Sequence, residues 1–493
     1  MPETSLPSLT DSDRELLALV ARAAFANPFG PERDELDRIL SGGQATGNVA
    51  LKLAIQRLEA FLADLRRGGR TQIRHFPAEW REAAEVLILF VLFHRYMSEF
   101  DRLIQRQEEE GDRPVPAPFV TRLLAEMRTA GFTPEDALKY AGLFYQLRRA
   151  FAFLARGLTG GGASMSALRR RLWSNLFTTD MRRYVRHLWN RMEDFSTLLL
   201  GETGTGKGAA ALAIGRSGFI PFDDAAGAFA QSFTEAFVQI NLAEFPASLL
   251  ESELFGHRKG SFTGALESRD GVFARCSRHG AIFLDEIGEV PGPAQVKLLR
   301  VLQERCYTPV GGGEAKRFEG RVIAATNTDL ARARASGAFR DDFYFRLCSD
   351  LIEVPSLRAR LWETPGELDE LARHLLRRLT GRNDTELFVR VREVLSRDLP
   401  ADYPWPGNVR ELEQSIRRIL LTDACVPSAR VEISGGRAEA LARRFLDGGM
   451  DAAALVAEYC SVLYDRHGSY VTVAAITGLD RRTVRKHVVG EGK

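Results

Sequence analysis

Gly201-Glu202-Thr203-Gly204-Thr205-Gly206-Lys207-Gly208 is a glycine-rich segment set between two apolar ones. The apolar run Thr197-Leu198-Leu199-Leu200 leads into it, and Ala209-Ala210-Ala211-Leu212-Ala213 follows. The order is therefore buried strand, glycine turn, helix, which is the context of a phosphate-binding loop. Glycines let successive backbone N–H groups point inward at the phosphates, and the helix N-terminus adds its positive dipole end. Lys207 supplies a mobile charge for the outer phosphates. The position after it is usually Ser or Thr, whose hydroxyl reaches magnesium, but here it is Gly208.

Working downstream, five short apolar runs alternate with helical stretches: 197–200, 237–240, 281–284, 322–325 and 351–354. That alternation predicts a parallel sheet covered on both faces. The third run ends in Asp285-Glu286, acids at the C-terminal tip of a buried strand, where the ligand crevice of such sheets opens. Asp285 is placed to hold magnesium and Glu286 to orient or deprotonate an attacking water. The fourth run ends in Thr326-Asn327, polar groups that can reach the outermost phosphate or the water. Arg340 and Arg346 lie on an amphipathic segment, where spacing alone fits surface ion pairs as well as catalysis.

Upstream, residues 1–157 read as helices: one through about Ala26 capped within Thr10-Asp11-Ser12, then 49–65, 77–107, 119–129 and 134–154. No phosphate loop or metal-ligand spacing occurs there, and His75 and His94 read as structural. Gly157-Leu158-Thr159-Gly160-Gly161-Gly162-Ala163-Ser164 has the composition of a flexible linker. The chain of 493 residues is too long for one core, and its net charge of +2 commits it in bulk neither to nucleic acid nor to membrane. Five cysteines without a C-x-x-C pair suit a reduced, cytoplasmic protein, and the longest apolar run is too short to span a bilayer.

At the other end, a small-residue helix, the turn at Gly478 and a basic helix predict a helix-turn-helix within 451–493, with 425–450 as linker. Arg481, Arg482, Thr483, Arg485 and Lys486 are its candidate DNA contacts, while Val484 and Val488 face the core. A plain three-helix cap with a solvated basic face is the competing reading.

Four motifs occur in the order seen in bacterial enhancer-binding activators of sigma-54 RNA polymerase: the phosphate loop, Leu254 through Ala265, Phe283-Leu284-Asp285-Glu286-Ile287 and Trp405-Pro406-Gly407-Asn408-Val409-Arg410-Glu411-Leu412. Residues 168–424 resemble that family's AAA+ domain, with an α/β subdomain over 168–355 and a helical lid over 356–424. Gly260-Ser261-Phe262-Thr263-Gly264-Ala265 resembles the family's G-A-F-T-G-A loop with Ser261 in place of Ala, the loop that contacts the sigma factor. The resemblance implies a multidomain α and α/β protein that takes ATP with Mg2+ and forms a homo-oligomeric ring, hexameric when active. It implies partners in sigma-54 RNA polymerase holoenzyme and double-stranded DNA at an upstream site. It also implies that Asn241 links Glu286 to the sigma-contact loop, and that Thr326 and Asn327 sense the nucleotide. Arg340 and Arg346 would act on a neighbour's nucleotide, and Arg410 on the chain's own. Gly208 stands where the family has Glu, and 216–236 is longer than the usual connection and reads as a surface insertion. Two alternatives stay open: a DNA-binding regulator that uses nucleotide only as an assembly signal, and an AAA+ remodeller of another client.

Overall fold

The computed structural model describes residues 8–43, 45–262, 265–426, 451–467 and 469–489. Residues up to Cys425 form one compact unit and those from Val426 a second.

In the first unit the five apolar runs become β1 (Thr197–Leu200), β2 (Phe237–Asn241), β3 (Ala281–Asp285), β4 (Arg321–Thr326) and β5 (Asp350–Glu353). They pair in the order β2-β3-β4-β1-β5, every pair parallel. Alternate side chains serve opposite faces, as the strand period of two requires. Leu199, Phe283 and Ile323 join one apolar core, while Leu198, Ile282 and Val322 join another. Burial on both faces explains why the strands read as continuous apolar runs. Past the sheet, the lid helices Glu367–Thr380, Thr385–Asp398 and Asn408–Thr422 close around a separate core that includes Leu376, Val391 and Leu412.

The N-terminal region is helical throughout its length: α1 (Asp11–Phe25), α2 (Pro31–Leu40), α3 (Gly47–Arg67), α4 (Arg81–Arg95), α5 (Met97–Glu110), α6 (Pro118–Thr129) and α7 (Pro134–Gly157). Thr10 caps α1 in a capping box with Asp13, as its sequence indicates. The long segment expected over 77–107 breaks at Tyr96 into α4 and α5, and α2 fills a stretch for which the periodicity predicts no helix. These helices do not hold a core of their own. Leu17, Leu87 and Leu124 belong to the same buried cluster as Leu199, Phe283 and Ile352 of the sheet.

Two connections depart from expectation. The glycine stretch before α8 (Ala163–Phe177) is held against the lid: Arg360 donates to the Thr159 carbonyl at 2.6 Å, the Gly161 amide donates to Glu370 at 3.2 Å, and the Ser164 amide donates to Glu363 at 2.9 Å. Gly160 is needed there because a Cβ would lie 2.2 Å from Glu367 Oε1. The insertion over 216–236 leaves Asp223 through Ala226 exposed, but it also carries the buried side chains of Ile220, Phe222, Phe229 and Phe233 to the helical region. Phe229 stacks on Tyr145 at 3.9 Å, and Gln146 donates to the Ser217 carbonyl at 2.9 Å.

The second unit contains helices Ala452–His467, Tyr470–Thr477 and Arg481–Val489 around Cys460, Val473 and Val484, with Val488 packed against them. Gly478 takes φ +70° between the last two, a conformation glycine adopts without strain.

Candidate functional site

The phosphate loop leaves β1 at Leu200 and enters the helix Lys207–Gly215, so its amides sit at a helix start beside the tips of β3 and β4. Gly206 has φ +107° and Gly204 φ +80°, and a Cβ at Gly204 would lie 2.2 Å from the Gly407 carbonyl of the lid. Lys207 is folded into the loop, donating to the carbonyls of Gly201 at 2.8 Å and Glu202 at 3.1 Å, and Thr205 braces the turn through the Glu202 carbonyl at 2.9 Å. Burial pulls the Lys207 ammonium below its ordinary pKa, and the carboxylates of Glu286 and Asp285 oppose that pull. Ion-pairing to a phosphate would relieve the same desolvation cost. Gly208 has open space where a Cβ would stand.

A cavity of about 320 Å³ lies against the loop. Thr203 through Ala209, Asp285, Glu286 and Arg410 line it, together with Leu158, Thr159, Met165 and Leu168 from the glycine stretch and α8, and with His374 and Leu375 from the lid. Asp285 accepts from the Glu286 amide at 3.0 Å. Glu286 holds φ +55°, left-handed for a non-glycine residue, and its Oε2 is buried without a hydrogen-bond partner. A strained backbone carrying an unsatisfied carboxylate oxygen is costly unless a ligand uses it. The Asp285 and Glu286 carboxylates and the loop amides fit a magnesium nucleotide, with the ion held chiefly by phosphate and water oxygens. Among the described residues no His, Cys, Asp and Glu cluster could hold a metal by itself.

At the tip of β4, Asn327 donates to Thr203 Oγ1 at 2.7 Å, so this strand end and the phosphate loop are joined directly. Thr326 is buried and accepts from the Thr328 amide. Asn241 is turned elsewhere: it donates to Glu244 at 3.1 Å and accepts from the Ala243 amide, although its backbone is in register with Asp285. Neither Arg340 nor Arg346 lines the cavity. Arg340 pairs with Asp342 at 2.7 Å, and Arg346 donates to the Leu302 carbonyl at 2.8 Å.

Several contributors have no role that the sequence reading assigns. Asn408 is fully buried with φ +53°; its amide donates to Glu202 Oε2 at 3.0 Å and the Thr203 carbonyl at 3.1 Å, and its oxygen accepts from the Leu357 amide at 2.7 Å. One side chain thereby ties the lid to the phosphate loop. Its position within Trp405–Leu412 is the available signal. The glycine-stretch wall escapes a reading by composition, which suggests a tether, although Leu158, Met165 and Leu168 have the apolar spacing of a packed segment. His374 carries no motif at all, and burial beside Arg378 and Arg377 holds its imidazole below its usual pKa.

Elsewhere, Gly260, Ser261, Phe262 and Ala265 form a tight turn in which the Gly260 amide donates to the Ala265 carbonyl at 2.8 Å. Thr263 and Gly264 lie outside the described residues. Phe262 is half-buried, with its ring edge-on to His257 at 5.1 Å, whereas Leu266 is 79% exposed. In the second unit Arg481, Arg482, Arg485 and Lys486 are exposed along one helix, and Thr483 is half-buried.

The family profile described as the Sigma-54 interaction domain matches residues 177–353, and the AAA+ ATPase lid domain matches 363–431. The Sigma54-dependent transcriptional activator SfnR of Pseudomonas putida is 35% identical over 322 residues, covering 60% of this chain and 82% of SfnR. The transcriptional regulatory protein GlrR of Escherichia coli K12 is 40% identical over 236 residues, covering 48% of this chain and 49% of GlrR. The crystal structure of NtrX from Brucella abortus aligns at 21% identity with a TM-score of 0.40, over 75% of this chain and 79% of that one.

Proposed function

The chain belongs to the sigma-54-dependent transcriptional activators and carries their AAA+ ATPase domain, and from that membership we propose that it spends ATP hydrolysis on opening promoters held by sigma-54 RNA polymerase. The observation that carries this reading is the convergence of Lys207, Asp285, Glu286 and Arg410 on one cavity at the end of a parallel sheet.

In this reading the loop amides and Lys207 bind the phosphates, Thr326 and Asn327 report on the outermost one, and Arg410 brings the lid over them. Asp285 would help to hold magnesium, which would supply charge neutralisation at the phosphates. Glu286 orients the attacking water and takes its proton. Arg340 and Arg346 complete a neighbouring subunit's site, which is consistent with their absence from the chain's own cavity and requires a ring, taken to be hexameric. Asn241 must then exchange Glu244 for Glu286 during the cycle. Residues 260–265 press against the sigma factor, with Leu266 as additional exposed apolar surface beside them.

The second unit binds double-stranded DNA upstream of the promoter through Arg481, Arg482, Thr483, Arg485 and Lys486, an exposed basic face on a helix suited to the major groove. Residues 1–157 regulate the ATPase. Among the described residues no helix is long and apolar enough to cross a membrane, and we place the activity in the cytoplasm.

The test is binding of the purified protein to purified sigma-54, with and without ADP plus aluminium fluoride. A complex that forms only with the trapped nucleotide and is lost in Thr263→Ala supports the motor and its client together. Nucleotide trapping without a complex means that the ring drives another partner. A Glu286→Gln variant that still opens promoters at the full rate excludes hydrolysis as the drive.

A further inference from the structure

The wall of the nucleotide cavity divides by chemistry. Lys207, Asp285 and Glu286 are charged and belong to the phosphate loop and the tip of β3. Leu158, Met165 and Leu168 are apolar and come from the glycine stretch and α8. A nucleotide carries the same division, with charged phosphates at one end and the flat apolar faces of a base at the other. Between them stands a sugar whose hydroxyls are hydrogen-bond donors. A site that reads the sugar therefore needs an acceptor part of the way along.

The lid helix Asn408–Thr422 supplies one at that level. Its first turn is fixed on the phosphate loop, where the amides of Val409 and Arg410 donate to the Gly204 carbonyl at 3.1 and 3.4 Å. Arg410 and Glu413 lie three residues apart, hence on one helix face, and both line the cavity. At a rise of about 1.5 Å per residue, Glu413 stands roughly 4.5 Å farther along the helix from the loop than Arg410. Its side chain is 20% exposed, and it pairs with Arg378 at 2.6 Å and with Arg417 at 2.8 Å, one on each oxygen. Arg417 and Arg378 hold its carboxyl below the usual range, so at neutral pH it is ionised and can only accept. A carboxylate offers about four lone-pair sites, so positions remain on both oxygens. The two guanidinium groups also offset a charge that would otherwise repel the phosphates. Among the described residues the other carboxylates of the wall are Asp285 and Glu286, which belong to the phosphate end.

We propose that Glu413 is a specificity-determining residue that accepts hydrogen bonds from the ribose hydroxyls of the nucleotide, so that the chain selects ribonucleotides over their deoxy counterparts. This role rests on the cavity's holding a nucleotide, and it extends that reading from the phosphates to the sugar. A sugar without hydroxyls leaves the enclosed lone pairs of Glu413 unmatched, which is why such an acceptor discriminates more sharply than apolar contact does.

The experiment is equilibrium titration of the full-length protein, with magnesium present, using ADP and 2′,3′-dideoxy-ADP, which lacks both hydroxyls. ADP should bind at least about tenfold more tightly. Glu413→Gln should cut that ratio to less than about threefold, by weakening ADP while leaving the dideoxy nucleotide nearly unchanged. A merely structural role for Glu413, or the release of Arg378 toward the phosphates, would move both ligands alike and preserve the ratio. Equal affinities in the native protein, or a tenfold ratio that survives Glu413→Gln, would overturn the proposal while leaving the nucleotide reading intact. Saturable binding of neither ligand would remove that reading and the proposal with it. If Glu413→Gln shows no cooperative thermal transition, the ratio measured on the native protein decides.

Discussion

The guanidinium of Arg149 on α7 donates to the carbonyl of Arg216 at 2.6 Å, the residue that ends the phosphate-loop helix. It also donates to the Gly218 carbonyl at 2.7 Å, and it lies 4.3 Å from the Tyr145 ring centre. The helical region thus places a buried cation at the negative end of the helix whose positive end faces the nucleotide cavity. Burial lowers the pKa of Arg149 to about 10, still far above neutrality, so the charge persists. Replacing Arg149 with Leu takes the donor from two half-buried carbonyls and should cost about 2–4 kcal/mol. A urea midpoint shift, with unchanged slope, measures it. An unchanged midpoint would mean that water replaces the guanidinium at no cost.

Asn408 should matter to nucleotide affinity more than to hydrolysis once nucleotide is bound. Asn408→Ala removes the amide that joins Glu202 and Thr203 to the lid, and strips the Leu357 amide of its acceptor. We expect KM for ATP to rise about tenfold, equivalent to ~1.4 kcal/mol, with kcat changed less than threefold. A fall in kcat at constant KM would place Asn408 in the chemical step instead.

His94 makes stability depend on pH in one direction. Its imidazole is neutral in the fold down to about pH 3, whereas the unfolded chain takes up a proton near 6.5. Between those values the unfolded state binds more protons, so stability falls as pH is lowered, by at most about 1.4 kcal/mol per unit from this group. His94→Phe should flatten the dependence between pH 6 and 4 in denaturant titrations, and a profile parallel to that of the native protein would show that the imidazole is not enclosed.

Gly208 is the second residue of a helix, and nothing beyond its own helical turn comes within 4 Å of the point where a Cβ would stand. Gly208→Ala should therefore raise stability by about 0.5–1 kcal/mol, read as a rise of a few degrees in Tm, while nucleotide affinity is retained. Lower stability would reveal a backbone conformation that glycine alone tolerates.

The five strands, the phosphate loop and the acids at the tip of β3 are legible in the chain because each is a local pattern: continuous apolar runs, glycines at fixed offsets, carboxylates after a buried segment. Local patterns reflect backbone and burial requirements that hold wherever the segment packs. Which segments share an interface is set by long-range packing. Composition marks 158–162 as a tether and 216–236 as surface, yet the first lines the nucleotide cavity and the second seats Arg149 and Tyr145. Asn408 reaches Glu202 only because elements distant in sequence close on one another. Such contacts depend on the matching of shape and hydrogen bonds between surfaces, and no residue carries that information by itself.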